Sequence, residues 1–386
     1  MKVILFIAVF ALSSVVFATK TDVLKVSLLT CSTGPDLHAA FGHTAIRIID
    51  EKNDKDHVFD YGIFDWDTPN FLVKFLSGEL QYKLSRKTFD RFFSTYEKEN
   101  RGIIERQINL RPEDALALYL VLERNHQPEN RYYDYEFFKA NCTTMARDVI
   151  LEANGRSIDA QMPDITFREG LHQCLEKKPW TQLGVDIILG PSADRQLTYR
   201  ESMFLPHLLD DKLSAYPSAI EEPQTLVKDE EKVLLESPQE ESPSFFVSPT
   251  FLILLLGALI LILEKVHRKT ATIFSSVILV VAGMIGILIL TLWFGSRHES
   301  FAGNFNIIWA NPVLIAFPFL RTGKIKYRSS LSILVVLLSF LVLAIFGLLP
   351  QEFNGNVLLL TALITGIVLS HALGYRSAQS LEDEGL

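Results

Sequence analysis

Apolar and polar positions divide the chain into stretches of different rhythm. Residues 1–18, MKVILFIAVFALSSVVFA, carry Lys2, an apolar run from Val3 and small side chains at Val16 and Ala18, the pattern of a secretory signal peptide with a mature start at Thr19. No cysteine follows that junction, so the chain is not expected to be a lipoprotein itself. Residues 19–216 mix charged, apolar and aromatic positions as a soluble domain with one core does. Residues 217–244 are acidic, Pro-rich and poor in aromatics, and predict a linker that is extended or loosely helical rather than packed. Apolar runs then recur at 245–263, 271–294, 305–320, 329–349 and 356–374, each near the roughly 20 residues that cross a hydrocarbon core. They predict a membrane domain over 245–375 with five crossings and a tail at 376–386.

Within the soluble part the period changes from two to three or four. In "HTAIRIID" alternate positions from His43 are apolar or β-branched, the polar run EKNDKD closes them, and "HVFDYGIFDW" follows, so 43–66 reads as a β-hairpin opened by His43. In "NCTTMARDVILEANG" the apolar side chains Met145, Ala146, Val149, Ile150 and Ala153 form one helical stripe, with Asn141 or Thr143 as N-cap and Gly155 as C-cap.

Charge adds orientation. Lys265, Arg268 and Lys269 fall in the first loop between crossings, and Arg321, Lys324, Lys326 and Arg328 in the third, whereas the alternate loops hold only Arg297. Basic loops stay cytoplasmic. The soluble domain is therefore expected outside, in the periplasm, and the tail inside. The net charge of −8 argues against a nucleic-acid partner.

The chemistry centres on Cys142, at the predicted helix start, where the positive end of a helix lowers a thiol's pKa. A half-cystine and an activated nucleophile are both open readings. With three cysteines in an exported chain, Cys31 and Cys174 can pair and leave Cys142 free. A thiolate nucleophile needs a base, and His43 is best placed by local pattern, with Asp60, Tyr61 or Asp65 on the second hairpin strand to orient the imidazole. A helix-start cysteine facing a histidine on a strand is the papain-like arrangement, and histidine before cysteine is the permuted order, found among relatives of the NlpC/P60 hydrolases and in the lecithin:retinol acyltransferase group, whose "NC" resembles Asn141-Cys142. The fold class expected is thus α+β, a permuted papain-like domain, followed by an all-α five-helix membrane domain. No Gly-rich phosphate loop and no metal-ligand spacing stands out, so no cofactor and no metal is expected.

The ordered motifs "LLTCSTGPDLHAAFGHTAIRI", "DYGIFDWDTPNFLVKFLSGELQYKL", "NRGIIERQINL", "NHQPENRYYDYEFFKANCTT", "DITFREGL" and "LGVDIILGPSADR" resemble the periplasmic domain of the Lnb-type lipoprotein N-acyltransferases, and "SRHESFAGNFNIIWANPVLIAFP" resembles that family's five-helix domain. The resemblance implies an inner-membrane enzyme that moves an acyl chain from a membrane phospholipid to the α-amine of a diacylated lipoprotein's N-terminal cysteine. Cys142 would be the nucleophile, His43 the acid-base group and Asp60 its orienting partner, with helix-start amides in an oxyanion hole. Arg47 shares the strand face of His43 and would meet a phosphate or form a core-edge salt bridge. Tyr61 and Arg168 are further candidate substrate contacts, although structural hydrogen bonding is the default for Arg168, Asp186 and Asp194. The third crossing reaches only ~24 Å, short of a ~30 Å core, and Asn311-Pro312 interrupts it. At its outer end His298, Asn304 and Asn306, beside Arg297, would hold a phospholipid head group or the lipoprotein's diacylglyceryl region, or would merely anchor and cap. A membrane-anchored cysteine peptidase or amidase acting on cell-wall peptides, and a non-enzymatic envelope binding protein, are the competing functions.

Overall fold

The structure is a computed structural model that describes residues 24–65, 67–155, 165–216, 225–238, 241–316 and 346–383. The expected signal peptide and most of the fourth predicted crossing lie outside the described residues.

Seven strands form one sheet: β1 (Lys25–Cys31), β2 (His43–Asp50), β3 (Lys55–Ile63), β4 (Gln81–Thr88), β5 (Ile103–Ile108), β6 (Tyr132–Asp134) and β7 (Val227–Leu235). Their order is β6-β4-β3-β2-β1-β5-β7, and every neighbouring pair is antiparallel. The predicted hairpin is β2 and β3, joined by a turn in which Asp54 takes a positive φ of 51°. Period-two alternation then supplies two different faces. Val26, Leu28, Ile46, Ile48 and Phe59 pack with Leu118 and Leu122 of α3 (Pro112–His126), Ile150 of α4 (Cys142–Asn154) and Leu209 of α7 (Pro206–Ser214). Leu29, Ala45, Val58 and Ile103 point the other way, onto Phe92 and Tyr96 of α2 (Phe89–Lys98). A one-residue slip of β2 would exchange these sets, so burial on both faces fixes the register.

Part of the expected linker is packed. Strand β7 lies within it and closes the sheet against β5, with Leu226 and Val227 fully buried. Its acidic composition suits this position because Arg106 of β5 bonds Glu231 at 2.7 Å and the Asp229 carbonyl at 3.0 Å, while Lys228 reaches Gln107. The sheet domain thus extends beyond residue 216.

The C-terminal region is helical and apolar. α8 (Pro249–Val266) and α9 (Arg268–Gly295) are long and apolar enough to cross a membrane. The last helix, α10 (Gly355–Asp383), is apolar to His371 and continues into the expected tail. The third predicted crossing departs from expectation. Its described part is two short 3-10 turns, Phe305–Ile308 and Pro312–Ala316, because Pro312 cannot donate to a helical ladder and the asparagines bond elsewhere. These turns lie against α9 at Gly283 and Gly286, where an added Cβ would stand 2.6 Å from the Ile315 side chain and 1.7 Å from the Ala310 carbonyl.

A buried polar joint unites the two regions. α6 (Pro179–Ile188) contributes Leu183 and Ile187 to the apolar cluster of Ile260, Leu279, Trp309 and Ile364. The last carbonyls of a helix have no partner within it. Here Asn306 donates to the Asp186 and Ile187 carbonyls at 2.9 and 3.1 Å, and Asn304 donates to Ile187 at 2.8 Å. The Asp186 carboxylate accepts from Arg168 of α5 (Phe167–Leu175) at 2.9 Å and from Asn354 just before α10. Arg168 is 1% exposed and also holds Asp194 at 3.0 Å. Removing one member of such a buried set leaves uncompensated charge. Arg168→Met is therefore expected to destabilise the protein by about 3–5 kcal/mol, read as a lower thermal midpoint of the detergent-purified chain, with Arg168→Lys losing less.

Candidate active site

Helix α4 begins at Cys142 because Asn141 caps it. The Asn141 side-chain oxygen accepts the Thr143 and Thr144 amides at 2.8 and 2.9 Å, Thr144 Oγ1 accepts the Asn141 amide at 2.8 Å, and Gly155 ends the helix in the left-handed region. The Asn141 amide group donates to the Phe137 and Phe204 carbonyls at 2.8 and 3.0 Å, which ties the cap to the chain on either side. The helix start approaches β3 at Gly62, whose φ of +88° and position 3.0 Å from the Cys142 Cβ for any added Cβ leave room for glycine alone. On β2, Thr143 Oγ1 meets Thr44 Oγ1 at 3.0 Å, and Cys142 Sγ lies 3.8 Å from Thr143 Oγ1.

The amides of Thr44, Thr143 and Cys142 itself point at the sulfur and favour its thiolate, as a helix start should. Burial outweighs them and raises the Cys142 pKa. This corrects the expectation of a low-pKa thiol: the cap geometry is as predicted, but desolvation reverses the sign. Because Asn141 occupies the Thr143 and Thr144 amides, the Cys142 and Thr44 amides are the better candidates for an oxyanion hole.

His43 immediately precedes Thr44, so the base proposed from the sequence and the amide that reaches the sulfur are neighbours on β2. Its ring stacks on Tyr96 at 6.5 Å between centroids, and its Nε2 stands 3.9 Å from Asp60 Oδ2. Lys87 of β4 donates to the same oxygen at 2.8 Å. Burial, with Arg101 and Lys87 nearby, pushes the His43 pKa down to about 3. Burial raises that of Asp60, against the pull of Lys87. Cys142 is thus held as a thiol and His43 as a neutral imidazole. A thiol in that state needs a general base to take its proton as a new bond forms.

Cys142, His43 and Asp60 are brought to one end of the sheet, whereas the other predicted site residues are employed elsewhere. Arg47 is the core-edge ion pair: it bonds Asp56 at 2.9 Å and Glu105 at 3.1 Å, with its guanidinium 3.5 Å over Phe89. Tyr61 is buried and its hydroxyl accepts from Asn125 at 3.0 Å, while Asp65 serves a turn by accepting the Asp67 amide. Arg168, Asn304 and Asn306 belong to the interdomain joint, where every strong donor is committed to protein acceptors rather than substrate. His298 lies at the outer end of α9, and its Nε2 meets the Phe75 carbonyl of α1 (Phe71–Ser77) at 3.1 Å. Cys31 and Cys174 are free and do not pair: Cys31 is buried opposite His43 with its pKa raised to about 12, and Cys174 lies 3.7 Å from His207 Nδ1.

Sequence reasoning missed Lys87, Gly62 and three tyrosines. Tyr82, Tyr133 and Tyr135 lie close enough to Cys142 for its charge to raise their pKa values, after the larger effect of burial. A glycine inside a strand pattern marks a bulge or a close backbone approach, and that signal in "DYGIF" would have found Gly62. Lys87 and the tyrosines have no local signal. Among the described residues no cluster of His, Cys, Asp and Glu could hold a metal ion.

A mixed sheet-and-helix domain joined to long apolar helices defines a membrane-anchored protein with a domain outside the bilayer. The profile of the Lnb N-terminal periplasmic domain matches residues 17–173, and that of the Lnb transmembrane domain matches residues 240–377. The chain belongs to the Lnb family. No curated protein and no solved structure matches it.

Two measurements check the site. Alkylation of Cys142 by iodoacetamide is expected to be slow at neutral pH and still climbing at about pH 9, above the ordinary thiol range; a plateau below neutrality would show a thiolate-imidazolium pair instead. Gly62→Ala is expected to disturb the helix start, read as a lower thermal midpoint and altered alkylation of Cys142, because its Cβ would press on that residue in an unfavourable backbone conformation.

Proposed function

We propose that the protein is a lipoprotein N-acyltransferase of the inner membrane, with a permuted papain-like periplasmic domain on a five-crossing membrane domain. The observation that supports this reading is that Cys142, whose sulfur the Thr44 amide faces, and the adjoining His43, 3.9 Å from Asp60, occur in an Lnb-family chain whose sheet domain is joined to apolar helices through buried hydrogen bonds. A phospholipid donor and a lipoprotein acceptor both lie in the membrane surface, so a rigid mount serves this reaction and is superfluous for a soluble substrate.

The reaction balances with these residues. His43 takes the Cys142 proton as Sγ attacks a phospholipid ester carbonyl, and the Cys142 and Thr44 amides face the developing oxyanion. The ester C–O bond breaks, His43 returns the proton to the departing glycerol hydroxyl, and an acyl thioester remains. The lipoprotein's α-amine then attacks that carbonyl, the C–S bond breaks, and His43 carries a proton from nitrogen back to sulfur. The products are an amide and the free thiol. Asp60 and Lys87 set the position and charge of the imidazole's surroundings.

Mass spectrometry of a diacylated lipopeptide incubated with phospholipid and the purified protein tests this reading. Wild type should add one amide-linked acyl chain, Cys142→Ala should add none, and His43→Ala should slow the addition by about 10²–10⁴-fold. Release of free fatty acid with no change in the lipopeptide would identify a hydrolase instead.

A further inference from the structure

If the thioester forms at Cys142, an acyl chain has to travel from the bilayer to a buried sulfur, and a chain of ring contacts leads towards it from α1. Helix α9 reaches about 42 Å at ~1.5 Å per residue, more than a ~30 Å hydrocarbon core requires, so its end near Gly295 stands at the outer interface. Aromatic side chains collect at that level. Phe294 is 78% exposed at the end of α9, and Phe246 is 71% exposed just before α8 begins. Trp293 stacks in parallel on Phe294, and tryptophan marks the boundary between bilayer and water.

Helix α1 is fastened at the same level. The Arg297 amide donates to the Ser77 carbonyl at 2.9 Å, the Arg297 guanidinium reaches Glu79 at 3.1 Å, and His298 meets the Phe75 carbonyl. This pairing of the Arg297 amide with Ser77 brings the two backbones together at Gly78, where an added Cβ would stand 3.1 Å from the Arg297 Cβ. The sequence of α1, FLVKFLS, is apolar apart from Lys74 and Ser77, and Val73 is 66% exposed. An exposed valine on an apolar helix tied to the outer end of a membrane helix lies against lipid rather than open water.

From α1 the route runs inward over aromatic rings. Phe71 and Phe75 stack in parallel, Phe75 meets Tyr135 at 6.5 Å between centroids, Phe71 meets Phe64 at 5.4 Å, and Phe64 meets Tyr82 at 5.2 Å. Tyr82 and Tyr135 close the path by stacking at 4.2 Å, and both lie within electrostatic range of Cys142. Ring faces give an alkyl chain apolar contact without asking for hydrogen bonds.

We propose that α1 is a loading helix, immersed in the outer leaflet, over which a phospholipid acyl chain leaves the bilayer and follows the Phe71, Phe75, Tyr135 and Tyr82 wall to Cys142. The proposal rests on the acyl-transfer reading for its chemistry, but its membrane contact is independent of it.

Two measurements on the full chain in phosphatidylethanolamine and phosphatidylglycerol vesicles test it. In the first, a bimane label on Val73→Cys, in a Cys142→Ala background, is exposed to nitroxide-bearing lipids. Strong quenching relative to the same background without Val73→Cys is expected, and quenching only by water-soluble agents would overturn the loading helix whatever the enzyme does. In the second, the hydroxylamine-sensitive acyl adduct on Cys142 is measured with vesicle phospholipid and with a water-soluble short-chain phospholipid. Val73→Asp should lower adduct formation from vesicles about tenfold more than from the short-chain donor, the scale of one lost apolar side-chain contact, and Phe75→Ala should do the same. An equal fall with both donors, or no fall, would overturn the route. Quenching of the label at position 73, together with a wild type that forms no adduct from either donor, would sink the acyl-transfer reading and the route, leaving α1 as a membrane contact alone.

Discussion

The most deeply buried link between the sheet domain and the apolar helices is at the end of α6. Its last carbonyls are unpartnered within the helix, as at any helix end, and the side-chain amides of Asn304 and Asn306 satisfy them from the membrane region. The Asp186 carboxylate of the same turn is held by Arg168 from the sheet domain and by Asn354 ahead of α10. Neither region can withdraw without leaving buried polar groups unpaired, which costs far more than parting two wet surfaces. The joint thus resists separation of the sheet domain that carries Cys142 from the apolar helices.

At the site itself, desolvation decides the electrostatics. Three amides favour a Cys142 thiolate, yet burial prevails, and the same burial, aided by Arg101 and Lys87, keeps His43 neutral. An uncharged thiol suits its surroundings of buried tyrosines, Tyr82, Tyr133 and Tyr135, whereas His43 is kept neutral beside the cations Lys87 and Arg101. In the acyl-transfer mechanism proposed above, charge would develop only as the sulfur attacks, where the amides already point.

The parts legible in the sequence were those carried by local rules. The alternation after His43 announced β2 and its hairpin, and "NC" followed by an apolar stripe and Gly155 announced α4 with both caps. The places of His43 at the start of β2 and of Cys142 at the start of α4 followed from those elements. What escaped depends on contacts between distant segments. Lys87 bears on Asp60 only because β4 pairs with β3, and Tyr82 and Tyr135 meet only when β4 and the segment after β6 lie side by side. Asn304 and Asn306 stood out correctly as polar groups in an apolar run, but an amide that caps a helix and one that holds a head group look alike until the carbonyls opposite are known. The acidic stretch around Glu231 read as solvated chain, since composition does not disclose that Arg106 awaits it on β5.

That acidic strand has a consequence for company rather than catalysis. An open sheet offers its outermost backbone groups to any passing strand. Here β7 presents Lys228, Asp229, Glu230, Glu231 and Lys232 along one margin, and the other margin, β6, is three residues long. Charge guards the first edge and brevity the second. Pairing of neighbouring copies edge to edge, sheet against sheet, is disfavoured at both margins, which matters for chains crowded on one membrane surface.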